Sequence, residues 1–219
     1  MPAPRIIPLF IAGMIALSSL ALAADNPELA KLRVAANHND TNAELALGTA
    51  YHLGNGVKQD DAKAVEWWRK AAEQGNALAQ FFVGEAYHEG KGVAQSDANA
   101  VQWWRKAAAQ GNADAENNLG YAYRNGVGIG KNNTEAVKWW QKAAEQGETS
   151  AQFSLGAAYY NGEGVRKNNI AAHMWFKVAL AQGNDSAAKL LDEVEKAMTQ
   201  EQIDRADYLT REWMQQHPS

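Results

Sequence analysis

The sequence predicts an all-α fold in which pairs of helices stack into one long array, and two observations lead to that prediction. The first is a pair of adjacent aromatic residues that returns every 36 residues, as Trp67-Trp68, Trp103-Trp104, Trp139-Trp140 and Trp175-Phe176. The second is a set of single residues with the same spacing: Gly48, Gly84, Gly120 and Gly156; Tyr51, Tyr87, Tyr123 and Tyr159; Gly54, Gly90, Gly126 and Gly162; Gly75, Gly111, Gly147 and Gly183. A fixed period between roughly 20 and 50 residues indicates stacked units, none of which can bury its apolar face alone.

Each unit is predicted to hold two antiparallel helices, which we call helix A and helix B. In the first unit, helix A is expected near Thr41–Leu53, with Leu47, Ala50 and Tyr51 on one apolar stripe, and helix B near Asp61–Gln74. A capping residue precedes each helix, because its side chain can accept from free backbone N–H groups of the first turn. The predicted caps are Asp40, Asn76 and Asn112 for helix A, and Asp60, Ser96, Asn132 and Asn168 for helix B, whereas Glu148 is not a preferred capping type.

A glycine recurs in the middle of helix A, at Gly48 and its equivalents. Glycine inside a helix costs up to about 1 kcal/mol relative to alanine, so something must compensate for it. We expect this glycine to let two helices approach, with the paired tryptophans filling the space beside it. The tryptophans are therefore assigned to the core and not to carbohydrate stacking or to a cofactor.

The ends of the array are predicted to be covered by helices of their own. Four units occupy residues 40–75, 76–111, 112–147 and 148–183, and no second domain is required. Asn26-Pro27 opens a capping helix within residues 24–39. Residues 184–219 form a degenerate unit, in which Asp192 replaces the helix A glycine, and a last helix that begins with the capping box Thr199-x-x-Gln202.

Residues 1–23 have the features of a secretory signal peptide. Arg5 precedes an apolar run, and Ala21-Leu22-Ala23 places small residues at the cleavage site. The most apolar stretch, residues 9–20, is shorter than the roughly 20 residues that a membrane-spanning helix needs, so cleavage is favoured over an uncleaved anchor. The chain contains no cysteine and hence no site for lipid attachment. We expect a bacterial periplasmic or secreted protein that is not inserted in a membrane after signal cleavage.

Charge argues against nucleic acid as a partner. The whole chain has a net charge of −4, and loss of residues 1–23 would remove Arg5 and leave −5. Acidic and basic residues alternate along the chain without a basic stripe that could contact phosphates. No nucleic-acid-binding function is therefore expected.

Residues 79–111 carry a family resemblance. They include Ala79, Gly84, Ala86, Tyr87, Gly90 and Gly92, followed by Ala100, Trp103, Trp104, Ala107, Ala108 and Gly111. This pattern resembles a Sel1-like repeat, a relative of the tetratricopeptide repeat, and its copies cover about residues 40–183. The resemblance implies a right-handed α-solenoid that binds other proteins. The chain departs from the pattern at Ile129, where the turn normally has valine, and at Phe176.

The resemblance to tetratricopeptide-like arrays also implies a concave groove lined by helix A. The corresponding residues are Leu45, Thr49 and His52; Phe81, Glu85 and His88; Asn117, Tyr121 and Arg124; and Phe153, Ala157 and Tyr160. They differ strongly between units, as expected of a surface adapted to one extended partner, although solvated side chains that vary freely would look the same. The aromatic residues Phe81, Tyr121, Phe153 and Tyr160 favour binding, because we expect them to be exposed.

The leading hypothesis is an exported adaptor that holds a peptide or protein partner in this groove. An alternative is a periplasmic regulator that masks an envelope sensor or enzyme. A weaker alternative is a cell-wall-active enzyme, because Ser186-x-x-Lys189 matches the serine-lysine spacing of penicillin-recognising enzymes, but their Ser-Asp-Asn and Lys-Thr-Gly segments are missing. We expect no enzyme activity.

No catalytic residue, metal ion or cofactor is predicted. His52 and His88 occupy equivalent positions on neighbouring helices, but spacing fixes no third ligand beside them. The glycine-rich stretch 126–130 follows a helix and recurs as an interhelical turn, so a phosphate-binding loop is not favoured.

Overall fold

The computed structural model describes residues 27–217 and shows helices without strands in that range. The predicted signal peptide and the Asn26 cap lie outside these residues. The helices are α1 Pro27–Asn37, α2 Thr41–Leu53, α3 Asp61–Glu73, α4 Ala77–Glu89, α5 Asp97–Ala108, α6 Ala113–Asn125, α7 Asn133–Glu145, α8 Thr149–Asn161, α9 Asn169–Ala181, α10 Ser186–Glu195 and α11 Gln200–Gln216. None of them is long and apolar enough to cross a bilayer. The predicted all-α solenoid is confirmed.

The helices begin where the capping residues predict. Asp40 accepts from the backbone N–H groups of Asn42 and Ala43, each at 3.0 Å, and Asn76 and Asn112 cap α4 and α6 in the same way. The predicted caps of helix B likewise accept from the backbone of the first turn. Glu148 also caps its helix, although its type did not predict this. Helix α3 ends at Glu73, one residue earlier than expected.

The middle of helix A lies against an aromatic side chain of helix B in the same unit. A Cβ atom built on Gly48 would lie 2.4 Å from Cδ1 of Trp68, and one on Gly120 would lie 2.4 Å from Cδ1 of Trp140. In the fourth unit, the ring of Phe176 takes the same place beside Gly156. The second aromatic residue of each pair thus occupies the volume that a side chain would need, which confirms the predicted role of the glycine.

The first tryptophan of each pair has a different environment. Trp67, Trp103 and Trp139 are half-buried, and a lysine three residues later covers the ring, with Nζ of Lys70 lying 3.9 Å from the ring centre of Trp67. In the last unit, Val178 stands in the place of that lysine. Trp175 is instead buried and meets the edge of Trp213 at a centroid distance of 5.6 Å.

Each layer of the core forms between helix B of one unit and helix A of the next. In the first such layer, Ala64, Val65 and Trp68 of α3 pack with Ala79 and Val83 of α4. The same arrangement recurs between α5 and α6, α7 and α8, and α9 and α10. No unit therefore buries its apolar residues alone, and the array behaves as one continuous core.

The turns between helices A and B also join neighbouring units. Gly92 has φ +70°, and a Cβ atom there would lie 2.2 Å from the backbone oxygen of Asp61 at the start of the preceding helix B. Gly128 and Gly164 make the equivalent approach to Asp97 and Asn133. Only glycine combines this left-handed backbone with so close a contact.

The two ends are covered by single helices. Leu29 and Ala36 of α1 are buried against α2. At the other end, α11 packs against α9 through its buried Ala206 and Thr210, and the capping box of Thr199 and Gln202 is present as predicted.

We expect Gly120→Ala to destabilise the array by about 2 kcal/mol, because the added methyl group must displace Trp140 from a packed core. The midpoint of urea unfolding, followed by circular dichroism, measures this loss. Gly130→Ala is the matched control, since no atom lies within 4 Å of its added Cβ. Equal midpoints for the two variants would contradict the packing role of Gly120.

Candidate binding groove

The helix A side of the array forms a continuous surface. Helix α6 contacts α8, α8 contacts α10, and Asn118 of α6 donates to Glu85 of α4, so successive A helices lie side by side. We call the helix A surface of α2, α4, α6 and α8 the groove.

The structure places most of the predicted groove residues at this surface. Ten are half-buried, namely Leu45, Thr49, His52, Glu85, His88, Asn117, Arg124, Phe153, Ala157 and Tyr160. Tyr121 is 45% exposed, and Phe81 is buried with 7% exposed.

The expected line of exposed aromatic residues is wrong. Phe81 belongs to the core layer that contains Ala115 and Leu119 of α6. Phe153 lies 5.7 Å from the ring of Phe176 and packs against the layer formed with α10. This position of helix A points at the next A helix, so its side chains join neighbouring units. Tyr121 is the exposed aromatic residue among the predicted four.

The two groove histidines bind carboxylates of their own units. Nδ1 of His52 lies 2.8 Å from Asp61, and Nδ1 of His88 lies 2.6 Å from Asp97. Each pair ties the last turn of helix A to the first residue of helix B. Within residues 27–217, no three histidine, cysteine or acidic side chains are grouped to hold a metal ion.

Arg124, the equivalent residue of the third unit, reaches into the next unit. Its Nε and Nη2 atoms both lie 3.2 Å from Oε2 of Glu163, in the turn that follows α8. This ion pair bridges two units, and half-exposed pairs of this kind contribute little to stability.

Glu85 is the most perturbed acidic residue of the groove. Its Oε1 atom accepts from Nε1 of Trp104 at 3.1 Å and from Nδ2 of Asn118 at 2.7 Å. Burial raises the pKa of Glu85 to about 7; His88 acts in the opposite direction, and Asp114 adds to the rise. Glu85 therefore changes its charge near neutral pH.

Three polar residues of this surface were not among those predicted: Asp114, Asn118 and Glu148. Burial raises the pKa of Asp114 and of Glu148. Asp114 is equivalent to Asn42, a helix A position that the stacking leaves free. Among the four units only the third has an acidic residue there, and this difference could have identified Asp114 from the sequence. Asn118 stands where the other units have alanine, phenylalanine or serine, and that variation was a second signal.

The residue after the helix A glycine determines whether the indole N–H of helix B has a partner. Trp68 donates to Oγ1 of Thr49 at 3.4 Å, and Trp104 donates to Glu85. Nε1 of Trp140, beside Tyr121, is buried and has no acceptor. In the fourth unit Ala157 offers no acceptor, which gives a physical reason for Phe176 in place of tryptophan.

We expect stability to fall as the pH rises through 7, because the raised pKa means that Glu85 favours folding while it is protonated. Its contribution is complete below its ordinary pKa of 4.5 and is lost above about 7. The loss is about 2 kcal/mol, discounted for the partial exposure of Glu85. Glu85→Gln keeps the Oε1 acceptor and should remove this part of the pH dependence.

Urea unfolding at about pH 5 and pH 8 measures the effect. Glu66→Gln, at an exposed position of α3, is the control that should keep the dependence of the unaltered protein. An unchanged pH dependence in Glu85→Gln would contradict the assignment.

These features define a helical-repeat protein whose helix A surface is partly exposed to solvent. The family model of the Sel1 repeat matches residues 41–76, 77–112, 113–148 and 149–184. The chain therefore belongs to the Sel1 repeat family.

Solved structures agree with this assignment. A protective antigen of uropathogenic Escherichia coli is 34% identical, with a TM-score of 0.79 over 88% of this chain and 42% of that one. The chain thus spans less than half the length of that protein. A Sel1 repeat protein from Oxalobacter formigenes is also 34% identical, with a TM-score of 0.74 over 86% of this chain and 79% of that one. The immunity protein Pa5087 of Pseudomonas aeruginosa, at 23% identity and TM-score 0.51, shares the fold. No curated protein matches the sequence.

Sel1 repeat proteins are generally protein-interaction scaffolds, and the similar folds are typically non-catalytic. Ser186 and Lys189, which carried the weaker enzyme alternative, are both exposed in the first turn of α10.

Proposed function

We propose that this protein is an exported adaptor that holds an extended segment of a partner protein in the groove. The observation that supports this most directly is Tyr121, a large aromatic side chain that is 45% exposed on the groove side of α6. Tyrosine is a frequent anchor at protein interfaces, because it adds apolar contact area at a small entropic cost.

The contrast between core and groove positions supports the same proposal. Ala64 of helix B is alanine again in every unit, at positions 100, 136 and 172. The position of Thr49 becomes glutamate, tyrosine and alanine in the following units. Each unit thus offers different chemistry to a partner, while the scaffold stays constant.

The proposed location outside the cytoplasm rests on residues 1–23. A short positive start, an apolar run and small residues before the expected cleavage site are the features of an exported precursor. An exported adaptor would meet partners in the periplasm or outside the cell.

A photo-crosslinking amino acid at position 121 should capture a discrete partner in the native host, because this side chain faces the groove. The same amino acid at Gln102, exposed on helix α5, is the control and should not give that product. Asn118→Ala should weaken the product formed at position 121. Identical products from both positions would contradict the groove assignment.

Fusion of residues 1–23 to a reporter that folds only after export should yield active reporter and a processed amino terminus after Ala23, seen by mass spectrometry. Replacement of the apolar Leu20 and Ile15 by arginine should block processing, because a charged run no longer enters the export machinery. Unprocessed reporter in both fusions would refute the export proposal and leave the groove proposal standing.

A further inference from the structure

Three carboxyl groups stand on successive units of the groove: Glu85 on α4, Asp114 in the first turn of α6, and Glu148 at the cap of α8. Asn118, one turn along α6 from Asp114, donates to Glu85 at 2.7 Å, and Asp114 adds to the rise in the pKa of Glu85 and of Glu148. Within residues 27–217, no ion pair with lysine or arginine reaches any of them. Glu85 and Glu148 have hydrogen-bond donors, but none of these partly buried carboxyl groups has a lysine or arginine partner within residues 27–217.

Two of these carboxyl groups have oxygen atoms free for a ligand. Trp104 and Asn118 both donate to Oε1 of Glu85, so Oε2 is not used by either of them. Asp114 lies four residues before Asn118 and hence on the same face of α6, one turn away. A cationic group placed between Glu85 and Asp114 would meet an acceptor on each side.

A second, independent observation lies in the same groove. Trp140 is 3% exposed, and its Nε1 atom is buried without an acceptor. In the two preceding units, the equivalent N–H group points at Thr49 and at Glu85, which are groove residues. Nε1 of Trp140 lies against α6 at Gly120, and the next residue, Tyr121, holds the position from which Thr49 and Glu85 supply the acceptor in the two preceding units. Since an unpaired buried donor is costly, an acceptor that arrives with a ligand would relieve it.

The spacing of these features suits an extended peptide. Tyr121 follows Asp114 by seven residues, which is two helical turns on one face, or about 10 Å. An extended chain covers that distance in about three residues. A peptide offers both groups that the site lacks, because its backbone carbonyls accept hydrogen bonds and its basic side chains are cationic.

We propose that the groove recognises a basic, extended peptide segment, in which an arginine or lysine side chain lies between Glu85 and Asp114 and the backbone beyond it passes Tyr121 and Trp140. This inference rests on the proposed function and names the chemistry of the partner. Tyr121 gives the segment an aromatic face, which also attracts cations. Glu148 extends the negative surface toward the next unit.

The test uses a pair of blocked, fluorescently labelled peptides of eight residues. One carries two arginines three residues apart among alanines, and the other carries citrulline at both positions, which keeps the shape and removes the charge. Fluorescence anisotropy with the full chain measures the affinity of each. We expect the arginine peptide to bind at least about tenfold more tightly, and its affinity to fall as salt is added.

Matched variants locate the site. Asp114→Asn should weaken binding of the arginine peptide by about tenfold, because it removes one charge without changing size. Asp192→Asn, at an exposed position of α10, should bind like the unaltered protein. Thermal unfolding of both variants checks that the fold is kept.

Binding of the arginine peptide should release protons from Glu85, which would not happen if Glu85 had only a structural role. The titratable groups that face Glu85 are His88 and Glu89 on its own helix and Asp114 on α6. A bound cation lowers the pKa of Glu85, so binding near pH 7 should release protons. Calorimetry in two buffers of different ionisation enthalpy detects this release, and Glu85→Gln should greatly reduce it.

Equal affinity for the arginine and citrulline peptides, or no binding of the arginine peptide up to about 1 mM, would overturn the inference. Binding that is unchanged in Asp114→Asn would overturn it as well. If the citrulline peptide binds equally well and position 121 still captures a partner, the proposed groove function is kept and the inference of a basic partner is rejected. Failure of both peptides together with failure of the capture experiment would end both proposals.

Discussion

The structure depends on one contact, in which the second aromatic residue of each unit lies directly on the backbone of helix A at a glycine. No side chain fits between Gly48 and Trp68, so the distance between the two helices is set by the thickness of an aromatic ring. The helix tolerates the glycine because the buried tryptophan contributes far more apolar contact than a methyl group would. Four repetitions of this contact give four units of nearly the same shape.

Because the packed residues of the hairpins are nearly the same in every unit, the sequence differences between units are concentrated on the helix A surface that does not pack against a neighbour. The alanines of helix B are closed in on both sides by neighbouring units, and a larger residue there would push the layers apart. The groove side of helix A has no such neighbour over part of its length. It can therefore carry a free carboxyl group such as Asp114 in one unit and serine at the same position in the next.

Most of the fold could be predicted from the sequence, because caps, glycines and tryptophans act locally and repeat. Helix A of the first unit begins and ends as predicted, at Thr41 and Leu53. Which groove residues are exposed was harder to predict from the sequence. Whether Phe81 faces solvent depends on how far α6 lies from α4, and that distance is a property of two units together. The same holds for Glu85, whose pKa rises because it is buried between units, although the hydrogen bond from Trp104 acts in the opposite direction.

The turn glycines have a consequence for how such a chain can change over time. Gly92 meets the neighbouring unit at a backbone oxygen, and a backbone oxygen is present whatever side chain that neighbour carries. This contact is therefore indifferent to the side chain that the adjoining unit carries there. Duplication, loss or exchange of whole hairpins leaves this backbone contact intact, which makes it easier for the length of the array to change during evolution.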